Sequence, residues 1–171
     1  EIMKIKSLFF FFLLCLPFMG QSQVGGRNAF PFLDLNFNAR STSLGGSILS
    51  TKDGDVTVGA LNPAALNSEM HKKISFSHAF HPGKINFGQF AYVHQLNEKH
   101  FISGSIQYMG YGTMDRRANN GELLGEFTPF EYSLGAGYGY IINEVLSVGA
   151  NLRLVGSHID MYSSYGASLD L

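Results

Sequence analysis

The sequence predicts an all-β chain laid out as an antiparallel meander, on three observations. From Ile74 onward, apolar residues alternate with small polar ones at period two, the period of a strand. Short clusters of Gly, Pro, Asn and Glu separate the alternating stretches, as turns between paired strands do. The composition is 45% hydrophobic and only 15% charged, with 20 Gly, 15 Phe, 8 Tyr and no Trp. That leaves little charge to dress the outside of a domain surrounded by water.

The N-terminus is read first. After Glu1 and Ile2, which look like upstream residues, Met3, Lys4, Ile5 and Lys6 form a short basic stretch, and residues 8–19 are continuously apolar. Gly20 and Ser22 then stand at the −3 and −1 positions of a cut before Gln23, the layout of a secretory signal peptide and too short for a transmembrane helix. Cys15, the only cysteine, lies inside this leader and follows Leu14. A lipoprotein cut needs a small residue there, so the mature chain is expected to carry neither lipid nor disulfide nor thiolate metal site. Domain organisation follows: upstream residues and leader over 1–22, an N-terminal plug-like segment over 23–72, and barrel strands over 73–171.

Five strands are expected. The first, about 74–80, places Ile74, Phe76 and Phe80 together. The second, about 84–95, puts Ile85 and Phe87 on one face but Phe90 and Tyr92 on the other, which predicts a bulge near Gly88. The third sets Ile102, Ile106 and Tyr108 against Ser103, Ser105 and Gln107. A fourth sets Phe130, Tyr132, Leu134, Ala136, Tyr138 and Tyr140 against Ser133, Gly135, Gly137 and Gly139. In the last, Leu146, Val148, Ala150, Leu152 and Leu154 oppose Ser147, Gly149, Asn151 and Arg153. The stretch 165–171 ends within an alternating pattern, so a sixth strand and a longer parent protein are expected.

Turns at 97–99 and 142–144 fall at one end of the meander, and the long polar segment 111–128 falls at the other. Short turns at one end, longer loops at the other and aromatics near strand ends describe an outer-membrane β-barrel. A soluble sandwich would alternate too, but its outer face would carry Lys and Glu. Here the polar faces are Ser, Gly, Asn and Gln, which suits a lumen. About five or six strands fall short of the smallest membrane barrels, at about eight, so this chain is expected to be the N-terminal fragment of one.

Evidence of catalysis is thin. A net charge of −1 argues against nucleic-acid binding. Gly135, Gly137 and Gly139 are spaced by two along a strand and form a smooth face for close packing, not a nucleotide loop. Lys52, Asp53, Gly54 and Asp55 read as a polar turn, lacking the further ligands of a calcium loop. His71, His78, His81, His94, His100 and His158 show no metal-ligand spacing and read as interfacial or loop residues. No cofactor or enzyme activity is expected. In the loop 115–122, Arg116 and Arg117 are candidate surface contacts for a partner or for lipopolysaccharide phosphates.

Between leader and first strand stands an ordered series: FLDLNFNAR ending at Arg40, Leu44-Gly45-Gly46, Asp53-Gly54-Asp55-Val56, and Asn62-Pro63-Ala64. Asn62 is placed to cap a short helical turn whose first position is Pro63. This series resembles the N-terminal region of the PorV/PorQ group of FadL-like outer-membrane barrels, over roughly residues 28–110. Ala39, Arg40, Leu44, Gly45, Gly46, Asn62, Pro63 and Ala64 carry the resemblance. It implies a barrel of about fourteen strands with an N-terminal hatch. It further implies a non-catalytic role in the type IX secretion system of Bacteroidetes-type bacteria. There the barrel anchors a surface complex with PorU, PorV and PorZ that processes cargo and links it to lipopolysaccharide. The alternative it implies is a FadL-like transporter of hydrophobic small molecules.

Overall fold

The structure, a computed structural model, describes residues 30–46 and 53–171. The leader, Cys15, Lys52 and the proposed cut before Gln23 lie outside the described residues. What is described is all-β and antiparallel. Strands β1 (Lys73–His81), β2 (Ile85–Gln95), β3 (His100–Gly110), β6 (Phe130–Ile141), β7 (Ser147–Ile159) and β8 (Tyr162–Asp170) form a six-stranded sheet in that order. Between β3 and β6, β4 (Met114–Arg117) and β5 (Leu123–Phe127) pair with each other as a separate ribbon. The sheet is open, with β1 and β8 at its edges.

Two expectations are corrected. No bulge occurs near Gly88, because the register runs without a break from Lys73↔Val93 to His81↔Ile85 and from Asn86↔Gly110 to Gln95↔Phe101. Ile85 and Phe87 share the covered face with Ala91 and Val93; Phe87 meets Phe37 edge-on, with ring centroids 5.6 Å apart. An apolar cluster on the covered face, invisible to a count of alternation, replaces the expected bulge. The second correction concerns 111–128, read as a polar loop, which contains the β4–β5 hairpin. Its four- and five-residue strands and a register break between Arg116 and Arg117 hide it from periodicity.

The chain before β1 packs across one face of the sheet as short capped pieces. Helix α1 (Ala39–Ser43) starts at Asn38, whose side chain accepts the Arg40 amide at 2.9 Å. It ends when Gly46 N–H reaches the Ser41 carbonyl (2.8 Å) and Gly45 N–H the Thr42 carbonyl (3.3 Å). This pairing closes a helix on left-handed residues, and Gly45 and Gly46 have φ of +93° and +109°. Helix α2 (Val56–Leu61) is capped by Asp55, the 3₁₀ turn Pro63–Ala65 by Asn62, and the 3₁₀ turn Ser68–Met70 by Asn67. Each cap accepts an amide two residues on, and Asn62 receives Ala64 N–H at 3.2 Å, as its place before Pro63 leads one to expect.

Two apolar clusters hold this segment to the sheet. Val56, Ala60, Leu66 and Met70 pack on Ala91, Val93 and Phe101 near the short-turn end. Phe32 and Phe37 pack on Met109 and Val155 near the long-loop end. Between the clusters the sheet contributes buried Gln89, Gln107, Ser133 and Asn151.

Candidate functional site

The two faces of the sheet have opposite chemistry, and their distribution is inverted relative to a protein in water. Between its two apolar clusters the covered face carries Ser, Gly, Gln and Asn, with four charged residues of the strands, Lys73, Glu131, Arg153 and Asp170; Arg153 reaches Asp170 at 2.8 Å. The uncovered face is apolar. Following the strand register, one row across it reads Phe76, Phe90, Ile106, Leu134, Leu154 and Ala167. The next reads Ile74, Tyr92, Gly104, Ala136, Leu152 and Leu169. Phe76 is 66% exposed and Leu154 53%. Each large apolar side chain left in water forgoes about 1.5–3 kcal/mol of burial, so a face of this extent calls for an apolar partner.

Rows with polar tips flank this apolar middle. Toward the long-loop end the register aligns His78, Gly88, Tyr108, Tyr132, Gly156 and Tyr165. There the Tyr108 ring lies over Gly88 and the Tyr132 ring over Gly156, so each glycine is the bare backbone on which a neighbouring aromatic rests. Toward the short-turn end the register aligns His94, Ile102, Tyr138 and Ala150, and beyond them His100, Tyr140 and Val148. From Tyr132 to Tyr140 the strand runs about 26 Å.

On the covered face, Pro63 sits against the glycines expected to admit close packing. A Cβ at Gly149 would lie 2.5 Å from the Ala64 nitrogen and 2.6 Å from the Pro63 carbonyl carbon, and one at Gly137 would lie 2.8 Å from Pro63 Cγ. Ser147 Oγ donates to the Ala64 carbonyl at 2.6 Å. Farther along, Thr57 and Ser75 hydroxyls pair at 2.7 Å and Ser77 Oγ donates to the Phe37 carbonyl at 2.5 Å.

Two parts of the ordered N-terminal series, around Arg40 and around Asp53 and Asp55, are brought together, while Pro63 and Ala64 pack apart from them on Gly137 and Gly149. Arg40 pairs with Asp53 and reaches Asp55 at 3.5 Å, while Asn38 Nδ2 donates to Asp55 at 3.2 Å. The Arg40 guanidinium holds the Asp53 carboxyl below its usual range, and the carboxylate in turn raises the Arg40 pKa. Asp53 and Asp55 thus serve as an anchor for α1 and as the cap of α2. Leu44 is exposed, and its neighbours Gly45 and Gly46 end the helix.

Arg116 and Arg117, the candidate surface contacts, remain partly exposed and also make ion pairs within the chain. Arg116 pairs with Asp160 in the β7–β8 turn, and Arg117 contacts Asp115 at 2.6 Å and the Gly121 carbonyl at 3.3 Å. The hairpin therefore leans on the neighbouring turn, above a small apolar cavity of about 210 Å³ lined by Tyr111, Met114, Phe127, Pro129 and Ile159. Sequence reasoning missed Glu131, which is 5% exposed and accepts from the Tyr111 hydroxyl. Burial and this carboxylate push the Tyr111 phenol well above its usual value. A carboxylate one residue after a strand's first Phe was the available signal.

For catalysis, the nearest arrangement is His158 Nδ1 to Ser163 Oγ at 2.9 Å, on the uncovered face, and Asp160 beside it is committed to Arg116. Among the described residues no group of three or more His, Cys, Asp or Glu could hold a metal. The chain matches no protein-family model, no curated protein and no solved structure.

Proposed function

We propose that the chain is the N-terminal part of an outer-membrane β-barrel of the PorV/PorQ type. In this reading it is a non-catalytic component of the type IX secretion system that anchors the cell-surface attachment complex. The observation that carries the membrane part is the inversion of the sheet: exposed Phe, Leu and Ile on one face, buried Gln, Ser and Asn on the other. A bilayer accepts the first face, and the N-terminal segment, as a hatch, fills the second. The edge strands β1 and β8 would pair with further strands, since six do not close a membrane barrel. The short turns would then face the periplasm and the β4–β5 hairpin the cell exterior.

The secretion role rests on the ordered N-terminal series, whose residues Arg40, Asp53 and Asp55 form one linked anchor. Partners on this reading are PorU, PorV and PorZ, together with outer-membrane lipid and lipopolysaccharide. Affinity capture of the tagged full-length protein from outer membranes should recover PorU, PorV and PorZ. Deletion should release cargo from the surface. If deletion instead abolishes uptake of a labelled fatty acid and leaves cargo attachment intact, the docking role is wrong and the protein is a transporter.

A further inference from the structure

The histidines of the uncovered face share one arrangement that burial does not explain. His78 Nδ1 meets the Tyr108 hydroxyl at 2.7 Å, His158 Nδ1 meets Ser163 Oγ at 2.9 Å, and His94 Nδ1 meets the Tyr92 hydroxyl at 3.4 Å. His100 Nδ1 meets the Tyr138 hydroxyl. In every case Nδ1 is the nitrogen used, and Nε2 has no hydrogen-bond partner among the described residues. When the hydroxyl donates to Nδ1, the proton of the neutral ring sits on Nε2, leaving a donor without a partner in the described chain.

These rings lie only in the flanking rows, His78 and His158 toward one end and His94 and His100 toward the other. The apolar rows between them contain no histidine. No Asp or Glu occupies the uncovered face of the six strands, because Glu131 and Asp170 both lie on the covered one. Lys72, whose backbone N–H donates to the Val93 carbonyl at 2.9 Å, adds a cation beside the His94 row. Within the strands the two belts thus present donors and no carboxylate, with about 20 Å of strand between the His78 and His94 rows and about 33 Å between the His158 and His100 rows. The matching acceptor-only group found at both edges of a bilayer is a phosphodiester.

We propose that the two histidine–tyrosine belts bind phosphate-bearing lipid headgroups, each imidazole donating from Nε2 to a phosphate oxygen and so fixing the depth of the sheet. The proposal rests on the membrane reading above. Its test reconstitutes the full-length protein, labelled with ¹⁵N-histidine, in dioleoylphosphatidylglycerol vesicles and measures ¹⁵N–³¹P dipolar dephasing by solid-state NMR. Dephasing at Nε2 of His78, His94, His100 and His158 is expected, with the His100 signal lost in both His100→Phe and His100→Asn. Reconstitution in a galactolipid without phosphate should abolish it for all four. In parallel, because the chain lacks Trp, Leu134→Trp reports depth without background through quenching by bromines in the acyl chains. Quenching without any dephasing overturns the headgroup sites and leaves the membrane reading standing; absence of both overturns the two together.

Discussion

At the scale of single residues, glycines and Asx caps decide how closely the N-terminal segment approaches the sheet. Gly149→Val drives a side chain into Pro63 and Ala64, with a cost of about 1–3 kcal/mol from overpacking. Chemical unfolding should show that loss, and proteolysis should cut faster within 53–72. Gly104→Ala on the opposite face, where nothing lies within 4 Å, should leave both unchanged. His71 gives a pH-dependent counterpart. Burial, then Lys72 and His94, lower its pKa from the ordinary 6.5, and its Nδ1 accepts the Gln95 amide at 3.0 Å. The folded chain holds this ring neutral, so its contribution is complete above 6.5 and declines as pH falls from there toward the lowered folded value. The protection factor of the Gln95 amide, corrected for intrinsic exchange, should drop between about pH 7.5 and about pH 5.5. A flat profile would show that His71 does not hold that amide. Asn62 and Pro63 were legible in the sequence because capping is local chemistry. The pairing of Arg40 with Asp53 was not, because it depends on where the chain returns.

At the scale of elements, the long strands were legible and the short ones were not. β6 and β7 alternate over 12 and 13 residues, enough for period two to stand out. β4 and β5 span 4 and 5 residues, and their apolar positions are irregular. β2 shows a different limit: it alternates throughout, but both of its faces carry aromatics because one meets Phe37 and the other does not. The β4–β5 hairpin is held by Arg116 to Asp160, whose φ of +56° Asn also tolerates. Asp160→Asn should therefore keep the turn and free the hairpin. Trypsin should then cut at Arg116 and Arg117 faster than in the parent, while the thermal midpoint stays the same. Unchanged cutting would mean the apolar cavity beneath the hairpin, not the ion pair, holds it down.

At the scale of the whole molecule, the decisive property is which side of the sheet is left open. In a bilayer, Leu134→Arg should cost about 2–4 kcal/mol of folding stability, read from denaturant titrations in lipid vesicles. Phe76→Leu, in the same row, keeps the face apolar and should cost far less. If Leu134→Arg is tolerated in vesicles, the uncovered face does not contact lipid.

By itself the sequence determined the all-β class, the strands long enough to alternate, the division of the strands other than β2 into a more apolar and a more polar face, and the capped turn at Asn62. These follow from backbone geometry and from neighbours a few residues apart. Only the tertiary structure decided which face is covered, because period two is the same whether the apolar side points in or out. The N-terminal segment settles it by placing Phe32, Phe37, Val56 and Leu66 on the polar side, where its apolar residues meet Val93, Phe101 and Met109 and four serine or threonine hydroxyls of the sheet and segment make three hydrogen bonds between them.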